Sequence, residues 1–282
     1  MELSEVRKLV GRIKSSLFKN SNYYSVGMLK SHFKGSGLQF KEHQVYTHGD
    51  DVRFIDWKLT AKTTEPYIKT FEEERNVEIV VVLDASPSMF YGYNGISKLS
   101  ASLEICCLLY LLSEESKDKV HTILLTDKVV NLPKLSGEEG IIYLIYELEK
   151  NNIINGDGKI NYEYSQSSYL DDDKKYSAIF KHLGKSKEIV ILSDFLEFLP
   201  MDVLRKILFR KNIHCFQVLS PLDEANSIPY SFHGKTNLGS AKGSFSKIDS
   251  TGSQELQKLF GKRIRKLCVK DRYLEDFVKE ML

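Results

Sequence analysis

A buried strand followed at once by an acidic turn constrains this chain more than any other feature. Residues 77–83 read Val-Glu-Ile-Val-Val-Val-Leu, a run that is almost entirely apolar and rich in β-branched side chains. Such a run is typical of a central strand in a parallel sheet whose two faces are both covered by helices. Asp84, Ser86 and Ser88 follow directly, so polar oxygen atoms are predicted at the carboxyl end of that strand.

Strand-like and helical patterns alternate through the rest of the chain. The strand-like runs are 120–125, 188–192 and 213–219, and the helical stretches are 98–113, 141–150, 170–183 and 201–211. This alternation predicts an α/β protein with a doubly wound, mostly parallel sheet. With the strand order 3-2-1-4-5 that is usual in such sheets, the 188–192 strand is a neighbour of the first strand.

Three further segments complete the predicted main domain. Residues 243–248 are expected to add an edge strand, and residues 254–266 and 273–282 are expected to form closing helices. The segment 151–168 is rich in Asn, Gly, Ser and Tyr, and it is longer than ordinary connections in a compact domain. Loops of that length are usually functional or mobile, so this segment is a candidate functional loop.

The first 75 residues have a different character and are predicted to form a small separate module. Apolar residues between Val6 and Leu17 recur at helical spacing among basic side chains. This pattern indicates an amphipathic helix that docks on its own protein, with binding to a membrane surface as the alternative. We therefore assign residues 1–75 to a helix-plus-β module and residues 76–282 to the main α/β domain.

The block 49–57, Gly-Asp-Asp-Val-Arg-Phe-Ile-Asp-Trp, opens with turn chemistry. Its apolar residues are expected to be buried: Phe54, Ile55 and Trp57. We predict that Arg53 pairs internally with Asp51 or Asp56 and that Trp57 is a packing anchor between module and sheet. The alternative is a second ligand or partner site, because a guanidinium binds a carboxylate through two hydrogen bonds.

The composition excludes several classes of function. The 282 residues are 42% hydrophobic, which allows one substantial core and a small appended unit. With 40 Lys and Arg against 38 Asp and Glu, the net charge of +2 provides no global field for nucleic acid or an anionic membrane. The four cysteines lack zinc-site spacing and indicate a reducing, cytoplasmic location. We also expect no transmembrane helix, since no apolar run is long enough.

Two aspartates are predicted to meet at one edge of the sheet. Asp84 follows the first strand, and Asp194 follows the neighbouring strand 188–192. Together with Ser86 and Ser88 they form a set of hard oxygen donors, which suits Mg²⁺ or Mn²⁺ and disfavours zinc. Neutral hydroxyls leave such a cation able to accept one more carboxylate, for example from a partner protein. The alternative is a helix cap or turn, where Asp and Ser are also preferred.

At this point the sequence resembles two known families. The spacing of Asp84, Ser86 and Ser88 is similar to the DxSxS element of the metal-ion-dependent adhesion site in von Willebrand factor A domains. The sequence before the first strand resembles the bacterial domain-of-unknown-function family 58. The segments that carry this second resemblance are Gly35-Ser36-Gly37, Phe40, the 49–57 block, Pro66-Tyr67 and Phe71-Glu72-Glu73-Glu74-Arg75.

The resemblance implies a partner and one further ligand. Members of the family resemble partners of MoxR-type AAA+ ATPases, which implies a chaperone-like role in maturing or assembling other proteins. The adhesion-site pattern also implies a threonine ligand before the helix that precedes the second aspartate. Here that region offers serines instead, and Ser168 is the best match, ahead of Ser165 and Ser167.

Enzymatic readings fit the sequence less well. A haloacid-dehalogenase phosphotransferase needs a second Asp two residues after the first as its general acid, and this chain has Ser86 there. No glycine-rich loop ends in Gly-Lys-Ser or Gly-Lys-Thr, so nucleotide hydrolysis would have to come from a partner. Three hypotheses follow: a metal-dependent protein-binding adaptor that is not an enzyme, a non-metallated scaffold of the same fold, and a magnesium-dependent phosphoester hydrolase.

Overall fold

The computed structural model of this protein describes most of the chain. The described residues are 37–63, 65–74, 78–166, 168–184, 187–224, 231–236, 239–244, 251–270 and 272–281. The amphipathic helix predicted between Val6 and Leu17 lies outside them. Within this part of the chain, no helix has the length and apolar character needed to cross a membrane.

The described elements are numbered here in chain order. The strands are β1 (Gly37–Val45), β2 (Tyr67–Glu74), β3 (Glu78–Asp84), β4 (Gly92–Tyr93), β5 (Ile96–Ser97), β6 (Lys119–Leu125), β7 (Val129–Asn131), β8 (Lys187–Ser193), β9 (Ile213–Leu219), β10 (Ser231–Thr236), β11 (Gly239–Ser244) and β12 (Ile264–Cys268). The α-helices are α1 (Trp57–Thr60), α2 (Lys98–Ser116), α3 (Gly137–Lys150), α4 (Asp172–Phe180), α5 (Met201–Leu208), α6 (Thr251–Phe260) and α7 (Tyr273–Met281).

Six of these strands form the central sheet, in the order β12-β9-β8-β3-β6-β7. All neighbours in it are parallel except β7, which pairs antiparallel with β6. The first core strand, β3, therefore lies between β6 and β8, and Val82 is level with Ile123 on one side and Ile191 on the other. This arrangement confirms the predicted doubly wound, mostly parallel α/β fold.

The alternation of side chains along β3 divides the core into two layers. Ile79, Val81 and Leu83 point into a cluster with buried residues of α2, α3 and α7. Val80 and Val82 point the other way, into a cluster with α4, α5 and α6. Since both faces of β3 are covered, its nearly continuous apolar sequence is explained. The two layers hold the carboxyl end of β3 rigidly at the edge of the sheet.

The central sheet has two strands that the sequence analysis did not predict. The helix expected at 254–266 ends earlier, because Gly261 adopts a φ of 50° that terminates α6 and lets the chain enter β12. The strand β7 is only three residues long and follows a tight turn, so its pattern is too short to detect. Of the edge strand expected at 243–248, residues 243 and 244 end β11, which pairs with β10 in a separate hairpin, and residues 245–248 lie outside the described residues.

The small module contains an antiparallel pair, β1 with β2, and the 49–57 block between them. The prediction that Trp57 is a buried anchor is wrong, since its side chain is 70% exposed. Trp57 is the first residue of the one-turn helix α1, which Asp56 caps by accepting from the backbone N–H groups of Lys58 and Leu59. Phe54 is also exposed and Ile55 is half-buried, so the expected burial of this block holds only in part.

Candidate functional site

Asp84 ends β3 at the carboxyl edge of the central sheet and is almost fully buried. Its Oδ2 accepts a hydrogen bond of 2.6 Å from the hydroxyl of Ser193, the last residue of the neighbouring strand β8. Its Oδ1 accepts from the backbone N–H of Ser86 at 2.9 Å. The carboxyl group therefore ties the ends of β3 and β8 together and also fixes the turn that follows β3.

Asp194 follows β8 at the same edge, as the sequence predicted. Its Oδ1 accepts from the backbone N–H of Leu196 at 3.1 Å, and its Oδ2 lies 2.8 Å from the Nζ of Lys98. Both side chains of this ion pair are almost completely buried, at 1% and 2% exposure. The Lys98 ammonium also lies 3.4 Å from the carboxylate of Asp223, which is partly exposed. A buried ammonium is thus held between two carboxylates at this edge.

The pKa of Asp84 is raised from 3.8 to about 6, chiefly by burial and to a smaller extent by the negative charge of Asp194. The hydrogen bonds from Ser193 and Ser86 act against this rise because they stabilise the ionised form. The desolvation cost is the larger effect. The edge therefore carries a carboxyl group that exchanges its proton close to neutral pH.

Ser86 and Ser88 lie in the turn after β3, and their hydroxyl oxygens are 3.2 Å apart. Ser86 is the residue before a short 3-10 helix, Pro87–Phe90, but its side chain makes no capping hydrogen bond. The Asp84 side chain instead accepts from the Ser86 backbone, in the manner of an Asx turn. Both hydroxyls are half-buried and next to Asp84, so these three predicted residues do converge.

The long segment predicted as a functional loop crosses this edge of the sheet. The ring of Tyr164 stacks on Phe90 with 5.1 Å between centroids, and the side-chain amide of Gln166 donates to the carbonyl of Ala85 at 3.1 Å. Farther along, the Tyr169 hydroxyl donates to the Glu197 carbonyl at 3.0 Å. Residues 164–166, 168 and 169, which we call the crossing segment, thus lie between the turn after β3 and the loop after β8.

A second buried lysine, Lys175, fixes the end of the crossing segment. Lys175 donates to the Glu197 carbonyl at 2.9 Å and to the Tyr169 hydroxyl at 3.2 Å. Its ammonium also lies 4.5 Å from the centre of the Tyr169 ring. Ser168, the predicted third hydroxyl ligand, precedes Tyr169 in this segment and is exposed.

The turn after β8 is held in an uncommon backbone conformation. Phe195 has a φ of 59°, in the left-handed region that bulky residues rarely adopt. Its ring is buried and packs edge-on against Phe198, with 5.2 Å between centroids. The backbone N–H of Phe195 donates to Ser193 Oγ at 2.9 Å. This turn directs Asp194 inward and leaves the next residue, Leu196, exposed to solvent.

Whether a divalent cation fits this edge depends on the side chains that are available to bind it. Asp84, Ser86 and Ser88 supply the hard oxygen donors that Mg²⁺ prefers. The second carboxylate of the predicted set, Asp194, is already neutralised by Lys98. Among the described residues, no group of three His, Cys, Asp or Glu side chains is arranged to hold a metal. With Lys98 in this position, the residues do not fit a divalent cation shared by both aspartates.

Lys98 is the site residue that the sequence analysis missed. It is the first residue of α2, and in the first four turns of that helix the only other charged residue is Glu104. A lysine at the start of such a helix is the signal that was available. Its backbone N–H donates to the Tyr91 carbonyl at 3.0 Å, which fixes the start of the helix beside the turn after β3.

The predicted contacts of the 49–57 block are internal. Arg53 forms hydrogen bonds with both carboxylate oxygens of Asp51, the shortest at 2.6 Å. Asp56, besides capping α1, lies 3.1 Å from His43 and 3.1 Å from Lys69 on the two flanking strands. These acidic residues stabilise the local fold of the module, and they are not brought to the edge where Asp84 lies.

Comparisons with known proteins agree with the motifs. The profile of the family described as "Protein of unknown function DUF58" matches residues 42–265, more than half of the chain. Over 58 residues the chain is 40% identical to uncharacterized proteins of Mycobacterium bovis and Mycobacterium tuberculosis. This match covers 21% of the chain and 18% of either relative, so the chain aligns with less than a fifth of their length.

Two solved structures are similar over a larger part of the chain. The conserved hypothetical protein BatB from Bacteroides thetaiotaomicron is 18% identical, with 73% of this chain and 97% of that chain covered and a TM-score of 0.44. A von Willebrand factor type A protein from Catenulispora acidiphila is 12% identical, with 76% and 43% covered and a TM-score of 0.35.

Proposed function

This chain belongs to the DUF58 family, and on that premise we propose that it is a protein-binding module, von Willebrand factor A-like in fold, that works with a MoxR-type AAA+ ATPase. In this role it presents the ATPase or its client with the surface around the carboxyl ends of β3 and β8. The choice of an ATPase follows from the family resemblance. Four cysteines that are all free thiols support a reducing, cytoplasmic location for the complex.

The observation that carries the proposal is a group of exposed apolar side chains around the buried charges. Tyr91, Tyr169 and Leu196 are 70%, 60% and 57% exposed. They lie on the turn after β3, on the crossing segment and on the turn after β8, and contacts of the crossing segment hold these three loops together. Aromatic and apolar side chains on a rigid surface are typical of the centres of protein interfaces.

The geometry supports binding better than catalysis. Each carboxylate oxygen of Asp84 already accepts a hydrogen bond, and Asp194 is paired with Lys98. A hydrolase built on Asp84 would need a free nucleophilic oxygen and a general acid, and the residue two positions on is Ser86. We therefore propose no catalytic role and expect no turnover of phosphate esters. The hydrolase hypothesis is supported if turnover is found and Asp84→Asn abolishes it.

The geometry also favours a scaffold that binds no metal over a metal-dependent adaptor. A metal-dependent adaptor requires both aspartates to be available to Mg²⁺ or Mn²⁺, whereas the Lys98 ammonium neutralises one of them. A complex that forms without a metal ion is the expected result. Capture of the ATPase that is equal with magnesium and with a chelator separates this reading from the metal-dependent one.

The proposed surface is tested by capture of a purified MoxR-type ATPase from the same source on immobilised protein. Leu196→Asp and Tyr91→Ala should each weaken capture by about tenfold or more, since removing a central interface residue commonly costs over 1 kcal/mol. Leu259→Asp and Phe209→Ala are matched controls, because these side chains are similarly exposed, at 51% and 69%, but lie on other elements. Equal capture by all four variants would refute the proposed surface.

A further inference from the structure

Two buried carboxylates and one buried ammonium share the carboxyl edge of the sheet. Asp84 and Asp194 are both shielded from water, and the buried ammonium of Lys98 lies against Asp194. Taking an unpaired carboxylate out of water is costly, so a positive charge beside Asp194 stabilises the fold. In a metal-dependent adhesion site that positive charge comes from a bound metal ion. In this chain it belongs to a side chain.

The position of Lys98 in its helix is unfavourable for a lysine unless an acidic partner compensates. It is the first residue of α2, where the helix macrodipole carries a partial positive charge and disfavours cations. The first turn of α2 contains no acidic residue that would offset this. The compensation comes from two separate parts of the chain: Asp194, at 2.8 Å, and Asp223, at 3.4 Å.

The contacts of Lys98 also join three loops. Its ammonium connects the turn after β8, through Asp194, with the turn after β9, through Asp223. Asp223 is itself fixed, because its Oδ2 accepts from the backbone N–H of Ser220 at 2.7 Å. The backbone N–H of Lys98 holds the Tyr91 carbonyl on the other side. A divalent cation bound between protein oxygens would connect loops in the same way.

We propose that Lys98 takes the place of the divalent cation, so that Asp194 is paired and this edge of the sheet is ordered without any metal. Asp84, Ser86 and Ser88 keep the spacing of an adhesion site, but the second carboxylate is permanently paired with the lysine. The surface that we propose binds the ATPase would then need no metal ion. Only this consequence for partner binding rests on the proposed function. The charge substitution itself is tested on the isolated protein.

The test is thermal unfolding in the presence of magnesium, manganese or a chelator. The wild-type protein is expected to have the same Tm in all three conditions. Lys98→Met removes the ammonium at nearly constant volume and should lower the Tm by about 10 °C in chelator, because a buried carboxylate loses its partner. Magnesium or manganese should then raise the Tm of this variant by several degrees, since a ligand that binds only the folded state stabilises it.

A matched variant separates this effect from general damage. Lys175 is also buried, but its ammonium lies 3.3 Å from Asp172 and pairs with neither Asp84 nor Asp194, so Lys175→Met removes a buried lysine without unpairing either aspartate. It should lower the Tm without creating a response to metal. If Lys98→Met does not fold, the double variant Lys98→Met/Asp194→Asn, in which both charges are removed, should fold and be insensitive to metal. A double variant that is stabilised by magnesium would contradict the proposal.

The decisive counter-result comes from the wild-type protein alone. A rise in its Tm with magnesium that disappears in Asp84→Asn would overturn the proposal, as would stoichiometric Mn²⁺ binding measured by electron paramagnetic resonance. The ATPase capture experiment has a separate outcome. If the ATPase is captured neither with magnesium nor with chelator, the proposed function fails and the charge substitution stands. If it is captured only with magnesium, and Asp84→Asn is not captured under the same conditions, the charge substitution fails.

Discussion

The Nζ of Lys98 lies 2.8 Å from the Oδ2 of Asp194, and neither side chain is in contact with bulk water. The pair joins the first residue of α2 to the turn after β8, two parts of the chain that are 96 positions apart. Buried pairs of this kind are strongly interdependent, because removing one partner leaves the other charge uncompensated. The surrounding surface therefore depends on both residues together.

A double-mutant cycle on this pair should show strong coupling. Lys98→Met and Asp194→Asn are each expected to lower the free energy of unfolding by roughly 3–5 kcal/mol, because each leaves a buried charge without its partner. The double variant should be more stable than either single variant. The measurement is urea denaturation at neutral pH, and additive losses would show that the two side chains do not interact in solution.

The raised pKa of Asp84 predicts an unusual pH dependence of stability. Its pKa is 3.8 in the unfolded chain and about 6 in the folded protein, so between these pH values the folded state binds more protons. The contribution of Asp84 to the free energy of unfolding should therefore fall as pH rises from about 4 to about 6, by about 3 kcal/mol at most. Asp84→Asn lacks this contribution.

The comparison that isolates Asp84 is the difference in unfolding free energy between the wild-type protein and Asp84→Asn. The wild-type protein should lose stability relative to Asp84→Asn as pH is raised from about 4 to about 6, and the difference should be constant above this window. A difference that is the same at pH 4 and pH 7 would show that the carboxyl group has an ordinary pKa. Urea denaturation at several pH values provides the measurement.

His182 should have the opposite effect in nearly the same window. Its pKa is lowered from 6.5 to about 4, chiefly by burial and to a smaller extent by His121, whose ring centroid is 4.7 Å away, and by Lys187. Between these pH values the folded state binds fewer protons, so the contribution of His182 to stability should rise with pH. In His182→Asn, loss of stability on acidification from pH 6.5 to 4 should be smaller than in the wild-type protein. A larger loss in the variant would contradict the assignment.

Substitution of Trp57 tests whether its side chain in the small module is exposed or is a buried packing anchor. Its side chain is mostly exposed, so Trp57→Ala should change the free energy of unfolding by no more than about 0.5 kcal/mol. A buried packing anchor would instead cost about 3–5 kcal/mol, as is expected for Phe198→Ala, where the ring is fully buried. A loss for Trp57→Ala as large as for Phe198→Ala would show that the tryptophan is covered in solution.

Local sequence patterns were sufficient to predict the four inner strands of the sheet, β9, β8, β3 and β6, and the position of the two aspartates. The run that became β3 is apolar on both faces, and the run that became β8 repeats the pattern, so parallel pairing placed Asp84 and Asp194 at one edge. The carboxyl ends of neighbouring parallel strands always lie at the same edge of a sheet. This is why the convergence of the two residues was predictable without knowledge of any loop.

The partner of Asp194 was not predictable in the same way. Whether an ammonium reaches that carboxylate depends on where α2 begins, on the direction of its first side chain and on the position of the turn after β9. These are properties of tertiary packing, and no pattern within a window of neighbouring residues reports them. The strand β12 was missed for a local reason, since the backbone conformation of Gly261 decides where α6 ends.

In the part of the chain that the structure describes, both edge strands of the central sheet are short. β7 has three residues at one edge and β12 has five at the other, and charged residues adjoin or occupy them, such as Lys128 beside β7 and Lys266 in β12. Short, charged edge strands resist pairing with the sheets of other molecules. The chain can therefore display apolar side chains at the ends of its strands with little risk of aggregating through the sides of its sheet.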